Sequence, residues 1–224
     1  MGFRFRGLLL EYGSGLIGPI PNIVIFQFNP ESLSRTINVP ERPTGANSRE
    51  TGQAGDMPVE TLSLTAHFHA ADLLKDNKIL ARGFGIGPQL AALEKMVQPS
   101  NIIAGLIGEA IDAIGDAISG GDEDVPAQPI PREKYPKIIF MWGPTRVLPV
   151  TIQSMTINEQ QYDFLLNPTQ AEVSITMAVQ DVDPCSDDWL AKGAKTYTDI
   201  VKEAMAIANL ANTVEQAIEM VVDV

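Results

Sequence analysis

The sequence predicts a mainly β protein with a few helices, of the α+β class. Within residues 59–69, the stretch from Thr61 to His69 alternates strictly between polar and apolar side chains, which is typical of a half-buried strand. At least five extended segments are separated by proline- and glycine-containing turns. Helical periodicity is confined to a few stretches, and no strand–helix–strand rhythm appears. We therefore expect antiparallel pairing of the strands.

Length, composition and net charge exclude some classes of protein for this chain. The chain has 224 residues, of which 45% are hydrophobic and 20% charged, so it can bury a core and is not globally disordered. Its formal net charge of -12 disfavours nucleic acid as a partner, because binding phosphates needs a dense basic face. Residues 1–110 carry 9 basic and 10 acidic side chains, whereas residues 111–224 carry 7 and 18. The acidic excess therefore belongs to the second half.

Three strands are predicted in the first third of the chain. Residues 23–28 form an apolar, β-rich run that the turn pair Asn29-Pro30 closes. Residues 33–39 form a second extended segment, and a polar loop is expected from there to Met57. In the third strand, residues 59–69, one face carries the apolar side chains Leu62, Leu64, Ala66 and Phe68.

The middle of the chain is predicted to be helical and irregular. A short helix is expected at 71–80, and a second from Pro88 to about Val97. Residues 101–119 carry an apolar stripe with only acids on the polar face. A membrane-surface helix favours Lys or Arg there, so this stripe indicates packing on the same chain or on a neighbouring subunit. Residues 98–136 are interpreted as an insertion of helix and loop.

The second half returns to strands and ends in a helix. Residues 138–142 form a buried-type strand, and 146–158 a long extended run interrupted by Pro149. A last strand is predicted at 172–180, followed by an acidic loop at 181–188. The tail is predicted to form one long helix at 196–222 whose apolar side carries Ile200, Val201, Ala204, Ile207, Leu210, Val214, Ile218 and Val221.

Cysteine use and hydropathy bear on the compartment. Cys185 is the single cysteine, which excludes an intrachain disulfide and a multi-cysteine metal site and fits a reducing compartment. The apolar run near the N-terminus is too short for a signal peptide, and no stretch approaches the ~20 apolar residues of a membrane span. We expect a chain made soluble in the cytoplasm, without direct membrane insertion.

The two histidines are the first candidates for chemistry. His67 and His69 lie two apart on the predicted third strand, so both face one side and could offer two nitrogens to a metal. Asp72 is nearby, but zinc sites need three or four ligands, and no clear third ligand accompanies the pair. A surface strand face is the preferred interpretation.

A glycine-rich segment and an acidic loop are the remaining candidates for ligand binding. Gly83, Gly85 and Gly87 match neither a dinucleotide fingerprint nor a phosphate-binding P-loop, so a loop between two helices is expected. The aspartates of the 181–188 loop could supply oxygens to calcium, but they lack EF-hand spacing; they are Asp181, Asp183, Asp187 and Asp188. No GxSxG or HExxH motif and no convincing Cys–His pair occurs. We predict no catalytic, cofactor or metal site and no enzyme activity.

Three phrases of the sequence resemble a known family. They are FQFNPESLSRT at 26–36, LSLTAHFHAADLL at 62–74, and IIFMWGPTRVLPVTIQSMTINEQQYDFLLNPTQAEVSITMAV at 138–179. In combination they resemble the tube-type proteins of contractile injection systems, the phage-tail-like machines of bacteria. Within that family they are most similar to the adaptor that joins the inner tube to the baseplate spike. The resemblance covers roughly residues 5–183.

The resemblance implies a fold and a set of partners. It implies a tail-tube-like antiparallel β-barrel or sandwich with a flanking helix, spanning residues 1–183 and carrying the 98–136 insertion. It also implies assembly into a ring, usually of six copies, that contacts the inner-tube protein, the spike or hub protein and other baseplate proteins. The chain would then belong to an injection particle that is either retained in the cell or released from it.

The C-terminal extension departs from the family pattern. Many relatives carry a LysM module there, but residues 184–224 are too few for a linker and such a module. Glycan binding is therefore not carried over, and packing of the helix on a neighbouring baseplate component is expected. Two alternatives stay open. The chain could be the repeated inner-tube subunit of the same machine, or a metal-binding protein or enzyme that uses His67 and His69.

Overall fold

The computed structural model describes residues 5–12, 22–40, 57–71, 79–98, 135–183 and 185–222. Within these ranges seven strands form one sheet in which every pairing is antiparallel. The strands are β1 (Leu8–Tyr12), β2 (Asn22–Ile25), β3 (Leu33–Asn38), β4 (Val59–His69), β5 (Lys137–Trp142), β6 (Arg146–Tyr162) and β7 (Pro168–Val179). The helices are α1 (Ile79–Phe84), α2 (Gly87–Lys95) and α3 (Trp189–Val222). The predicted mainly β, α+β class with antiparallel pairing is confirmed.

The order of strands in the sheet is β2-β1-β5-β6-β7-β4-β3. The longest ladders join β6 to β7 and β7 to β4, and β6 is the middle strand of the seven. The ladder of the described residues does not close into a barrel, and β2 and β3 stand at its two ends.

The core lies on one face of this sheet. Alternate residues of β4 and β7 are buried there, and they pack with β1, β2, β5 and β6 in a single cluster. Helix α2 covers that face with Leu90 and Leu93, and Ile86 and Met96 at its two ends are also buried. Period-two burial in the strands and helical spacing in α2 therefore supply one shared core.

A side-chain amide joins the two ends of the open sheet. Gln27 follows β2, and its Nε2 donates to the carbonyl oxygen of His69 at the end of β4, at 2.7 Å. The backbone N–H of His69 donates back to Gln27 Oε1, also at 2.7 Å. This pair of bonds imitates one rung of a ladder. The amide thus pairs the backbone of His69 without another strand.

Pro149 does not interrupt β6, contrary to the sequence prediction. The strand runs from Arg146 to Tyr162, and Pro149 pairs with Ile139 of β5. Its carbonyl accepts from the N–H of Gln180, one residue beyond the end of β7. The N–H and C=O positions of one strand residue point to the same neighbouring strand. At Pro149 that neighbour is β7, whose pairing with β6 ends at Val150, so the N–H that proline lacks would have had no β7 residue to pair with. The proline therefore costs little pairing.

Several element boundaries differ from the sequence prediction. The predicted strand at 23–28 ends early, at Ile25, although Phe26 is fully buried. The last two strands extend toward each other and form a hairpin closed at residues 163–167. Strand β1 was not predicted, and α3 begins at Trp189 rather than near residue 196.

Some predictions fall where the structure is not described. The helix expected at 71–80 lies largely outside the described residues, as do the 101–119 stripe and the acidic triplet Asp122–Asp124. Among the described residues, no helix is both long enough and apolar enough to cross a bilayer.

The amide bridge gives a stability prediction. Replacing Gln27 by leucine, which has a similar size, should lower the free energy of unfolding by about 1–3 kcal/mol, because the N–H and C=O of His69 lose this partner. Denaturant unfolding measures the change, with Gln98→Leu at an exposed site after α2 as the matched control. Equal stabilities of the two variants would show that the bridge contributes nothing.

Candidate assembly interface

The two histidines lie on β4, as the sequence predicts, and their surroundings are structural. His67 is exposed and stands opposite Glu172 of β7. His69 is half-buried, and its Nδ1 accepts the N–H of Ala71 at 3.0 Å. Its backbone is held by Gln27 as described above. Asp72, the nearest candidate for a third ligand, lies outside the described residues.

The other candidate motifs also form turns. Gly85 and Ile86 connect α1 to α2, but Gly83 lies within α1 and Gly87 begins α2, so the loop predicted over the three glycines is confined to two residues. Gly85 has a φ of +58°, and a Cβ there would lie 2.2 Å from the carbonyl oxygen of Pro168. In the 181–188 loop, Asp183 accepts from the N–H of Cys185, and Asp188 begins α3. Across the described ranges, no group of three or more His, Cys, Asp or Glu side chains is placed to hold a metal ion.

The turn between β6 and β7 is built by one carboxylate. Asp163 Oδ1 accepts the N–H groups of Leu165 and Asn167, both at 2.8 Å, and Oδ2 accepts from Asn167 Nδ2 at 2.9 Å. These hydrogen bonds, above all that of the Asn167 side chain, hold the pKa of Asp163 below its usual range. Asn167 Nδ2 also donates to the carbonyl of Gly83 at 3.0 Å, which ties the turn to α1.

This turn presents three consecutive apolar side chains to solvent. Phe164 is 92% exposed, Leu165 62% and Leu166 78%. Leu166 has a φ of +62°, in the left-handed region that a leucine adopts only at a cost. Three adjacent exposed apolar residues on a braced turn are typical of a contact surface. We call residues 164–166 the hairpin tip.

The two Asn-Pro pairs share a mechanical role. Asn29 Oδ1 accepts the N–H of Gly7, and its Nδ2 donates to the carbonyl of Phe5. Asn167 likewise uses its side-chain amide to hold a neighbouring backbone at Gly83. The proline that follows each asparagine restricts that residue to extended conformations. Both Asn-Pro pairs thus lie in turns that an asparagine side chain holds to a neighbouring backbone.

Helix α3 docks on the face of the sheet opposite the core. Thr198 is fully buried, and its hydroxyl accepts from the N–H of Val147 at 2.9 Å and donates to the carbonyl of Val147 at 2.6 Å. Val147 lies on the part of β6 that extends past the end of β7, so the hydroxyl replaces a missing strand partner. Further along the helix, Lys202 pairs with Glu60 at 3.2 Å.

Asp188 fixes the start of this helix. Its Oδ1 accepts the N–H of Ala191 at 3.1 Å, which is the N-cap bond, and its Oδ2 accepts from Lys137 Nζ at 2.8 Å and from the Tyr12 hydroxyl at 3.0 Å. Burial raises the pKa of the Asp188 carboxyl, but Lys137, the Ala191 amide and Tyr12 outweigh it and hold the pKa below its usual value. Burial and the bond to Asp188 raise the pKa of Tyr12.

An apolar cavity of about 540 Å³ remains open between the first turns of α3 and the sheet. Its floor is formed by Leu10, Ile139, Met141 and Val147, and its helical wall includes Trp189, Gly193 and Tyr197. Trp189 is 78% exposed at the rim, and Tyr197 donates from its hydroxyl to the carbonyl of Pro144. Among the described residues, none with a charged side chain lines this cavity. We call it the α3 cavity.

Past Lys202, α3 leaves the sheet. Every residue from Glu203 to Leu210 is exposed, including Met205, Ile207 and Leu210. In the sequence, apolar residues recur at intervals of four and three from Ile200 to Val221, the spacing of a coiled-coil seam. Residues 203–210 are therefore a projecting, partly apolar segment of α3.

Comparison with known proteins adds no relative to this picture: neither a family model nor a curated protein sequence matches the chain.

Sequence reasoning missed the hairpin tip and the α3 cavity. In sequence, Phe164-Leu165-Leu166 has the composition of a core segment. The signal that could have exposed it is its position between Asp163 and Asn167-Pro168, where turn residues flank the apolar run. No local signal marks the cavity, because its lining comes from four separate elements.

The capping carboxylate predicts a pH-dependent stability. Asp188→Ala should lower the free energy of unfolding by about 1–2 kcal/mol, the usual effect of losing an N-cap. Because the pKa of Asp188 is lowered in the folded state, its ionised form stabilises fully above the unfolded-state pKa of about 4, and this contribution is lost as pH falls through the lower folded pKa. The stability gap between Asp188→Asn and the unchanged chain should therefore narrow in acid, as measured by denaturant titration. A gap independent of pH, or an equal effect of Asp187→Asn at the exposed neighbour, would contradict this role.

The left-handed leucine predicts a contrast between two glycine variants. Leu166→Gly relieves the positive φ, whereas Leu165→Gly only adds backbone freedom to the unfolded chain. The first variant should be the more stable by about 1 kcal/mol. Thermal unfolding of both proteins measures the difference, and the reverse order would refute the strained conformation.

Proposed function

We propose that this chain is a structural, ring-forming adaptor of a contractile injection system that connects the inner tube to the baseplate hub or spike. The proposal rests on the three resembling phrases, which lie on elements that frame one antiparallel sheet. The observation that carries it is the hairpin tip, where the third of these phrases presents three exposed apolar side chains on a braced turn.

The positions of the phrases support a structural role. FNP lies in the turn after β2, WGP-x-R in the turn between β5 and β6, and the second Asn-Pro at the start of β7. Gly143 of the WGP turn has a φ of +65°, which favours glycine. These residues set turns and strand register, and a protein that acts through its surfaces needs such positions kept.

Helix α3 favours the adaptor over a repeated tube subunit. Its first part is fixed to the sheet by Asp188, Thr198 and Lys202, while the next residues, 203–210, are all exposed and include apolar side chains. If the chain were the tube subunit, a helix would project from every copy in every ring, and the machine would need space for these helices along the whole tube. A single ring at one end needs that space only once.

The test is imaging of the intact particle with this chain located in it. We expect one ring of this chain per particle, at the junction of tube and hub, with six copies as the resemblance implies. Deleting the chain should leave hub and tube unjoined, and the matched control is restoration by the unchanged chain. Density repeated along the shaft would indicate the tube subunit instead, and absence from the particle would reject both.

A further inference from the structure

We propose that the hairpin tip of one copy inserts into the α3 cavity of the next, so that copies associate head to tail. Both surfaces are apolar and open to solvent in the chain, and their shapes are complementary, since the tip projects and the cavity is concave. The inference rests on the ring assembly proposed above and names the contact that would build it.

The tip is a projecting apolar group with a fixed shape. The three backbone and side-chain bonds to Asp163, and the bond from Asn167 to Gly83, hold it before any partner arrives. Ile86 N–H also donates to the carbonyl of Pro168 at 2.9 Å, which anchors the base of the hairpin. A tip ordered in advance loses little conformational entropy on binding.

The α3 cavity has the size and chemistry to receive such a tip. At about 540 Å³, it falls within the range of pockets that enclose a small ligand or a few side chains. Trp189 and Tyr197 stand at its helical side, and aromatic rings pack favourably against an inserted phenylalanine. Without charged side chains in its lining, the cavity favours an apolar occupant.

The tip cannot fill the cavity of its own chain. Val147 lines the cavity, and Tyr162 precedes the tip on the same strand, β6. At the rise of a β-strand, the 15 steps between them span about 50 Å. The two surfaces therefore lie at opposite ends of the longest strand, and their contact has to be intermolecular.

Two different surfaces that bind each other form a heterologous contact. Such contacts produce a closed ring where the rotation closes and a filament where it does not. Three apolar side chains bury less area than the roughly 1,200 Å² of a stable binary interface. A single contact of this kind is therefore weak. In a closed ring every copy makes the contact through both its tip and its cavity, and closure adds to the stability of the assembly.

Disulfide trapping between two distinguishable chains tests the contact. Both chains carry Cys185→Ser; one also carries Leu165→Cys and the other Gly193→Cys. Gly193 lines the cavity, and a Cβ there meets no atom within 4 Å, so the cysteine fits. The control pairs Gly193→Cys with Val39→Cys, an exposed apolar position on the edge strand side. The mixtures are oxidised mildly with each chain at about 1 mM, where a contact with a Kd of about 1 mM is formed by roughly 40% of the chains.

We expect the 165–193 disulfide to form at least about ten-fold faster than the 39–193 disulfide. Equal rates, or a dominant 165–165 disulfide from a symmetric contact, would overturn the proposal. So would a rapid 165–193 bond within a single chain that carries both cysteines.

A second measurement uses variants that should keep the fold. Gly193→Leu fills the cavity and replaces a glycine by a residue of higher helix propensity, and the double variant Phe164→Ser/Leu165→Ser removes two apolar side chains of the tip. Each change should abolish the self-association that sedimentation measures. The control Val39→Ser should leave it intact. Circular dichroism confirms folding. If these variants still form a ring in the particle, the tip contact is wrong and the proposed function stands. If trapping succeeds but the chain is absent from particles, the contact stands and the proposed function is wrong.

Discussion

The whole architecture depends on a short connection between the two ends of the sheet. Strands β2 and β3 stand at opposite ends of a seven-strand order, yet only residues 26–32 separate them in the chain. Six spacings of about 4.8 Å would place the ends of a flat sheet about 29 Å apart. The connection would have to be almost fully extended to cover that distance, but it bends at Gln27 and Phe28 and again at Glu31. The sheet is therefore forced to curve.

Curvature explains where the core and the amide bridge lie. A curved sheet has a concave face that must be filled, and α2 fills it with Leu90 and Leu93. Asn22 at the start of β2 donates to the carbonyl of Ala92 at 2.8 Å, which fixes that helix to the edge of the sheet. The bend after β2 also brings Gln27 to the backbone of His69. One constraint on chain length thus sets the shape of the sheet, the position of α2 and the contact between the ends.

Burial determined which parts of this fold could be predicted. Strand β4 was predicted with its observed bounds because Leu62, Leu64, Ala66 and Phe68 enter the core at every second position. The outer end of β6 was missed because its residues from Glu159 to Tyr162 pair through the backbone while their side chains are exposed. Strand β1 was missed because Leu8-Leu9-Leu10 lacks alternation; Leu9 enters the core, while Leu10 lines the α3 cavity on the other face.

The hairpin tip and the α3 cavity could not be predicted from local sequence. The apolar composition of residues 164–166 predicts burial, and only the bonds from Asp163 show why the tip points outward. The cavity is built by residues far apart in sequence, so no window of residues contains it. Asp188 could be assigned only to an acidic loop, because its partners Tyr12 and Lys137 come from other strands.

The division of α3 into a docked part and a projecting part has a consequence for how the helix forms. Starting an isolated helix in water is unfavourable, because its first turn fixes several residues for a single hydrogen bond. Here Asp188 and Thr198 hold the first turns in place, so the nucleus already exists when the chain reaches residue 203. Beyond that point each residue needs only to propagate the helix, and five of the 20 residues up to Val222 are alanine, the strongest helix former. The docked turns therefore lend helical order to the residues that follow them in the chain.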